Sequence, residues 1–335
     1  MSKKKSIEPD FMIVGTAVMD VLSGIFYENE IRRIGGKALN QAVALARLGG
    51  AVSLVTALGD DNAAQQVETI LNYEGIDGRY IRHVAGRQFL VTLEEFALGR
   101  VIKNVSKTSS LNEALTAAVF RATEQFGDVP KVLSTTFEVE DNHLNCIWEY
   151  AKKVKKSGSD MSVIVNPAPL PPHRGAGVLE GMNGVVDVLV PNRTEASALL
   201  GRQINDFDAE KSAQDLRTRL GVHNVCITLG SGGAVFASEQ GSGQFRAIPI
   251  ECVEKVGASD VFIAAFELAF LRDHTIPECV AFAGLCAGLS VSKKGGLESA
   301  PRLNEVAEYI DATRYFDGRT DAIAVFESLE NANHA

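Results

Sequence analysis

The segment best suited to chemistry is Glu254-Lys255-Val256-Gly257-Ala258-Ser259-Asp260, which runs into the apolar stretch Val261–Leu271. A helix that is apolar nearly all round is buried. The N–H groups at its start, with the helix dipole aligned behind them, form an anion site. Small side chains at Gly257, Ala258 and Ser259 let a phosphate approach those groups closely. Asp260 in the first turn has two readings. One is simple complementarity with the positive helix end, worth about 0.3–1 kcal/mol. The other is a base that takes the proton of an attacking hydroxyl while the N–H groups hold the transferring phosphoryl oxygens.

A second segment, Ile34-Gly35-Gly36-Lys37-Ala38-Leu39-Asn40-Gln41-Ala42, precedes an Ala- and Leu-rich helical pattern. Paired glycines allow close backbone approach. Lys37 adds a charge, and Asn40 offers both a donor and an acceptor, a set that suits a polyhydroxylated substrate or a plain helix cap. There is no Gly-x-x-x-x-Gly-Lys-Ser/Thr and no strand-linked Gly-x-Gly-x-x-Gly, which argues against P-loop and dinucleotide sites. Two more polar clusters follow apolar runs. In Val190-Pro191-Asn192-Arg193-Thr194-Glu195, the pair Asn192 and Glu195 reads either as holder of a hydrated Mg²⁺ or as a helix capping box. In Thr228-Leu229-Gly230-Ser231-Gly232-Gly233, a flexible turn suits nucleotide phosphates or a simple hairpin.

The elements that must position these groups alternate. Strands are predicted at Phe11–Val14, Val52–Ala57, Val132–Thr135, Ser162–Asn166, Val186–Val190, Asn224–Leu229 and Ala234–Ala237. Helices are predicted at Leu39–Leu48, Ala63–Tyr73, Leu111–Phe126, Asn142–Lys156, Thr194–Leu200, Ala209–Leu220 and Val261–Leu271. Such alternation predicts an α/β fold, a mostly parallel sheet with helices on both faces and ligands beyond the strands' carboxyl ends. Segments 21–34 and 86–104 break the alternation and read as β excursions over a site or as surface hairpins.

Composition narrows the function class. The 335 residues are 46% hydrophobic and 22% charged, which excludes bulk disorder. The net charge of −9 disfavours nucleic acid and anionic membranes as partners. The five cysteines form no Cys-x-x-Cys pair and read as reduced, buried thiols. With no signal-like segment after Met-Ser-Lys-Lys-Lys and no membrane-length apolar run, a cytoplasmic protein is expected.

Taken together and in this order, these segments resemble the ribokinase/PfkB carbohydrate-kinase family over about residues 10–312. Gly35–Gly49, Asn166-Pro167-Ala168-Pro169, Pro191–Glu195, Thr228-Leu229-Gly230 and Ser292-Lys293-Lys294-Gly295 carry the resemblance. It implies one three-layer α/β/α domain over 1–335 with a small β lid made of 21–34 and 86–104. It also implies ATP-dependent, Mg²⁺-assisted transfer to a sugar hydroxyl, usually a primary CH₂OH. Asp260 falls on the family's catalytic base, and Gly257, Ala258 and Ser259 on its anion hole. Asp20, Gly36, Lys37 and Asn40 fall on substrate-binding positions. Asn192, Glu195, Thr228, Gly230 and Gly233 fall on nucleotide-binding positions, with Asn192 and Glu195 orienting Mg²⁺ through water. The lid of such kinases excludes water and, in ribokinase, also forms a dimer contact.

The chain departs from the family pattern at the second signature, usually Asp-Thr-x-Gly-Ala-Gly-Asp. Glu254 and Lys255 replace residues of a region that helps bind a monovalent cation, so Lys255 is expected to substitute for that ion or exclude it. Ser259 replaces a glycine and would be strained if its φ were positive. The stretch from Asp20 to Gly35 is short, and Val18 stands where ribokinase has Asn, which alters the acceptor pocket and weakens a lid-mediated homodimer. Two alternatives follow. A nucleoside kinase would stack a base on Phe26, Tyr27, Phe89 or Phe96, and a ligand-binding pseudokinase would explain the altered turn.

Overall fold

A computed structural model describes residues 9–24, 29–96, 99–106, 109–125, 129–168, 176–313 and 320–333. In chain order the elements are β1 (Phe11–Val14), β2 (Val18–Gly24), β3 (Ile31–Gly35), α1 (Lys37–Arg47), β4 (Val52–Val55), β5 (Ala57–Leu58), α2 (Asn62–Glu74), β6 (Arg82–His83), β7 (Leu90–Phe96), β8 (Gly99–Ser106) and α3 (Ser109–Gln125). There follow β9 (Val132–Thr136), α4 (Asp141–Lys156), β10 (Ser162–Asn166), α5 (Ala176–Glu180), β11 (Val188–Leu189), α6 (Arg193–Leu200), α7 (Ala209–Leu220), β12 (Asn224–Thr228), β13 (Ala234–Ser238) and β14 (Gly241–Phe245). The chain ends in α8 (Ala258–Leu271), α9 (Ile276–Val291), α10 (Leu303–Thr313) and α11 (Thr320–Asn333).

Eight strands form the central sheet in the order β14-β13-β12-β11-β10-β9-β1-β4. The six from β12 to β4 run parallel, and β13 and β14 add an antiparallel edge. Alternate residues of each buried strand face opposite layers. Phe11 and Ile13 join α1, α2, α8 and α9, whereas Met12 and Val14 join α3, α4, α6 and α7. Two cores therefore sandwich the sheet, giving the three layers.

Strand order reverses beside β1: β4 lies on one side of it and β9 on the other. In parallel α/β sheets ligands bind at such a switch point, in the crevice beyond the carboxyl ends. Thr16 follows β1 and Glu138 follows β9 at that crevice. A separate four-stranded sheet, β3-β2-β7-β8, rises from the same place, since β2 leaves the β1 turn and β3 runs into α1. The described strands of segments 21–34 and 86–104 thus share one sheet rather than forming two independent hairpins.

The apolar helix begins at Ala258, three residues earlier than the apolar run predicts, because Ala258, Ser259 and Asp260 already have helical geometry. It packs between α1 and α9 over the sheet. All five cysteines are free; Cys226, Cys279 and Cys286 are buried, but Cys146 is only partly buried and Cys252 is exposed. Met-Ser-Lys-Lys-Lys, Phe26, Tyr27 and Pro169 lie outside the described residues. Among the described residues, no helix is long and apolar enough to cross a membrane.

Candidate active site

The turn before α8 is built around Gly257, whose φ is +80°. A Cβ there would sit 2.7 Å from the Gly296 carbonyl oxygen. Only glycine meets both demands. Gly257 is also the N-cap of α8 and provides no side chain to bond the first amides. Apart from a long bond from the Ala258 N–H to the Lys255 carbonyl at 3.4 Å, the first amides of this buried helix are left for an outside acceptor. Ser259 lies inside the helix, and Asp273 is the only non-glycine with positive φ among the described residues. The strain expected at Ser259 does not arise.

Asp260, in the first turn of α8, is 4% exposed. Asn40 Nδ2 donates to its Oδ2 at 2.8 Å, and Lys37 Nζ stands 3.5 Å from its Oδ1. Both partners come from the first turns of α1, which packs against α8. Asp260 Oδ1 and Asn40 Oδ1 are buried and accept no hydrogen bond. Two acceptors left in this state beside a helix start are suited to donors that arrive with a ligand. Burial by itself would lower the Lys37 pKa, but Asp260, Glu195 and Glu138 outweigh it and hold the ammonium above the ordinary lysine range.

Glu138 is part of this site although no sequence motif marked it. Its Oε2 accepts from the Thr16 hydroxyl at 2.5 Å and from the Lys37 backbone N–H at 3.0 Å. It thereby joins the ends of β1 and β9 to the start of α1. Burial pushes its carboxyl up from 4.5 to about 7, against the pull of Thr16 and Lys37. The available signal was an acidic residue just past a buried strand, which carries little weight alone. Gly36, with φ +103°, lies so close to the same turn that a Cβ would meet the Thr16 carbonyl oxygen at 2.5 Å. Asp20 Oδ2 would be 2.4 Å from a Cβ on Gly35, so the Asp20 carboxylate lies directly over the glycine pair.

On the other flank, Asn192 and Glu195 form the capping box of α6. The Asn192 N–H and Nδ2 donate to Glu195 at 2.8 and 2.7 Å, and the Glu195 N–H donates to Asn192 Oδ1 at 2.9 Å. Burial raises the Glu195 pKa, opposed by Lys37 and by the Asn192 bonds. A backbone bridge links Asn192 to Thr228 on the adjacent strand end. Beyond it, Gly230–Gly232 make a short 3₁₀ turn that opens to solvent, closed by the Leu229 N–H bond to Gly233 at 2.8 Å. Among the described residues, no three His, Cys, Asp or Glu side chains cluster closely enough to bind a bare metal ion. Each Asn192 and Glu195 side-chain oxygen already accepts a hydrogen bond within the cap, so the pair would reach an ion only through that ion's own waters.

The altered signature behaves differently from expectation. Glu254 Oε1 pairs with Arg33 Nη1 at 2.7 Å, and its Oε2 accepts from the Gly295 N–H at 2.9 Å. The cation on Glu254 is Arg33 of β3, not the neighbouring Lys255. Of the aromatics considered for base stacking, Phe89 is 1% exposed and packed with Met12 and Val14. It belongs to the core. The Phe96 side chain, like Phe26 and Tyr27, lies outside the described residues.

Known proteins resemble the chain along most of its length. The description "pfkB family carbohydrate kinase" matches residues 29–303. Ribokinase of Haemophilus influenzae is 29% identical over 280 residues, 83% of this chain and 87% of that protein. Deoxyribokinase of Salmonella typhi is 25% identical over 318 residues, 90% of this chain and 98% of that protein. The structure of Arabidopsis thaliana ribokinase complexed with ribose and ATP has a TM-score of 0.71 and 25% identity, covering 90% of this chain and 98% of that one.

Two predictions follow from the geometry. An acid with a raised folded-state pKa binds its proton more tightly when native, so Glu138 stabilises most below 4.5 and that contribution is lost as pH rises through about 7. Urea titrations should show Glu138→Gln gaining on the wild type across this window, by on the order of 1–3 kcal/mol. A difference that stays flat with pH contradicts the burial of the charge. Gly257→Ala should destabilise by about 1–3 kcal/mol through its positive φ and the Gly296 contact, measured by thermal or denaturant unfolding.

Proposed function

Because the chain belongs to the pfkB family of carbohydrate kinases, we propose that it moves the γ-phosphoryl group of ATP to a sugar hydroxyl with Asp260 as general base. As a carbohydrate kinase it uses ATP as co-substrate. The observation that carries the assignment of roles is the state of Asp260. It is buried at the open end of α8, its Oδ2 is held by Asn40, and its Oδ1 accepts no hydrogen bond. Oδ1 is thus the oxygen available to take the hydroxyl proton.

In the reaction, the acceptor oxygen forms a bond to the γ-phosphorus while the bond from phosphorus to the ADP oxygen breaks. The hydroxyl proton passes to Asp260, and ADP leaves with the electron pair of the broken bond. Charge on the transferring group is met by the amides of Gly257, Ala258 and Ser259, a role worth about 10²–10³ in rate for a single well-placed donor. Lys37 balances Asp260 before transfer and is placed to follow the charge afterwards. Asp20, Gly36 and Asn40 bind acceptor hydroxyls, with Glu138 fixing the loop that presents them. Thr228, Gly230 and Gly233 line the nucleotide turn. Asn192 and Glu195 would hold Mg²⁺ through its own waters, and the ion would supply neutralisation of phosphate charge.

The acceptor is a sugar with a primary hydroxyl. Relatives named ribokinase and deoxyribokinase favour a pentose. Core burial of Phe89 speaks against its stacking on a nucleoside base. The glycine turn, with Asp260 retained in it, speaks against a pseudokinase. Cytoplasmic location goes with the free thiols. Monovalent cation activation does not go with this reading, because Arg33 and the Gly295 amide already engage both oxygens of Glu254.

A screen of pentoses, hexoses and nucleosides with Mg·ATP should find a pentose phosphorylated. On that acceptor Asp260→Asn should lower kcat by about 10²–10⁴-fold while ATP still binds. Unimpaired turnover in the variant removes Asp260 as the base. Replacing potassium with tetramethylammonium should leave the wild-type rate within about twofold. A strong potassium requirement contradicts the reading of Glu254.

A further inference from the structure

The Arg33–Glu254 pair joins parts of the chain 221 residues apart. The two side chains are 23% and 16% exposed, so the pair is largely withdrawn from water. Such a pair is costly to break, because the remaining charge stays desolvated and alone. Its position gives it a role beyond stability. Glu254 lies three residues before the Gly257 cap of α8. Its backbone N–H is tied to the Val291 carbonyl at 3.1 Å, and its second carboxylate oxygen to the Gly295 amide. The anion turn is therefore anchored from behind by the end of α9 and the loop after it.

Arg33 reaches the turn from the other side. On β3 it lies opposite Asp20 of β2, and two residues later the strand delivers Gly35 beneath the Asp20 carboxylate. Gly36 and Lys37 follow, and Lys37 pairs with Asp260. One short strand thus pairs with the strand of Asp20 and leads into Gly36 and Asn40, the groups proposed to hold the acceptor, and the same strand grips the turn proposed to hold the phosphoryl group. A shift of β3 would move both.

We propose that Arg33 is a positioning residue for phosphoryl transfer: by clamping Glu254 it sets the distance between the acceptor-holding strand and the anion turn. The proposal rests on the kinase reading above. A guanidinium suits the task because it stays charged when withdrawn from water, and Nη1 holds one Glu254 oxygen while the Gly295 amide holds the other. It also cancels a carboxylate that would otherwise repel the phosphoryl group from just before the helix start. Removing Arg33 alone is therefore worse than removing both partners.

The test uses the full chain with Mg·ATP and whichever of D-ribose or 2-deoxy-D-ribose the wild type phosphorylates faster. Arg33→Met should lower kcat at least about tenfold, with the KM for the sugar changed less than about threefold. Arg33→Met combined with Glu254→Gln should turn over faster than Arg33→Met alone, since no charge is stranded. Guanidinium ion at sub-denaturing concentration should partly restore Arg33→Ala, and urea at the same concentration should not. In parallel, hydrogen exchange of the unliganded protein should quicken at 253–260 and 31–35 in Arg33→Met. The proposal is overturned by a kcat within about twofold of wild type, by a double variant no faster than the single one, or by unchanged exchange at 253–260. If the wild type phosphorylates neither sugar, the pentose reading fails, and the clamp is decided by the exchange measurement.

Discussion

The site depends on leaving the N-terminus of a buried helix uncapped. Most helices satisfy their first amides with a side chain, as α9 does with Thr275 and Glu278. In α8 the cap position is Gly257, in a conformation closed to other residues, and no side chain bonds the amides. The helix is apolar and packed between α1, α9 and the sheet, so its positive end cannot be relieved by tilting or fraying. An anion that binds there meets amides fixed by the helix, only one of which, Ala258 N–H, makes a long bond to the Lys255 carbonyl, and such preorganised donors are the condition for electrostatic catalysis.

Acidic residues near such an end raise a second problem, and Lys37 answers it. Asp260, Glu138 and Glu195 all act on this one ammonium. Burial disfavours ionisation of both Glu138 and Glu195, and each is offset by hydrogen bonds from its surroundings. Thr16 and the Lys37 amide serve Glu138, and Asn192 serves Glu195. Desolvated charges are tolerable only when paired and hydrogen-bonded in this way. The arrangement keeps acids from three separate segments, after β9, on α6 and on α8, around a single cation supplied by α1. Lys37 therefore couples Glu138, after β9, to Glu195, on α6, through a single charge.

Legibility in the sequence followed the range of the interactions. β10 and α7 have the bounds that local patterning gives, because apolar runs and helical spacing are local signals. The strand expected at Val186–Val190 narrows to Val188–Leu189, and β14, rich in glycine and serine, exists only through its pairing with β13. Helix α9 is apolar on every side and offers no clear period. In the site, residues within glycine-rich segments could be picked out, since Gly36 and Gly257 announce backbone that other residues cannot adopt. Glu138 and Arg33 could not. Their roles come from partners more than a hundred residues away, and neither sits in a pattern of its own.

Glu254 shows how a departure from a family pattern acquires meaning only in three dimensions. Read alone, glutamate in place of aspartate followed by a lysine suggests a damaged cation region whose charge is made good by its neighbour. In the fold, the longer side chain spans from the anion turn to Arg33 on one side and the Gly295 amide on the other. A loosely coordinated ion can exchange with solvent and move; a guanidinium on β3 is covalently part of the four-stranded sheet. Exchanging one for the other makes charge neutralisation beside the helix start and placement of β3 a single event. The same bond that supplies the missing positive charge also ties β3, which pairs with the strand of Asp20 and leads into Gly36 and Lys37, to the turn at the start of α8.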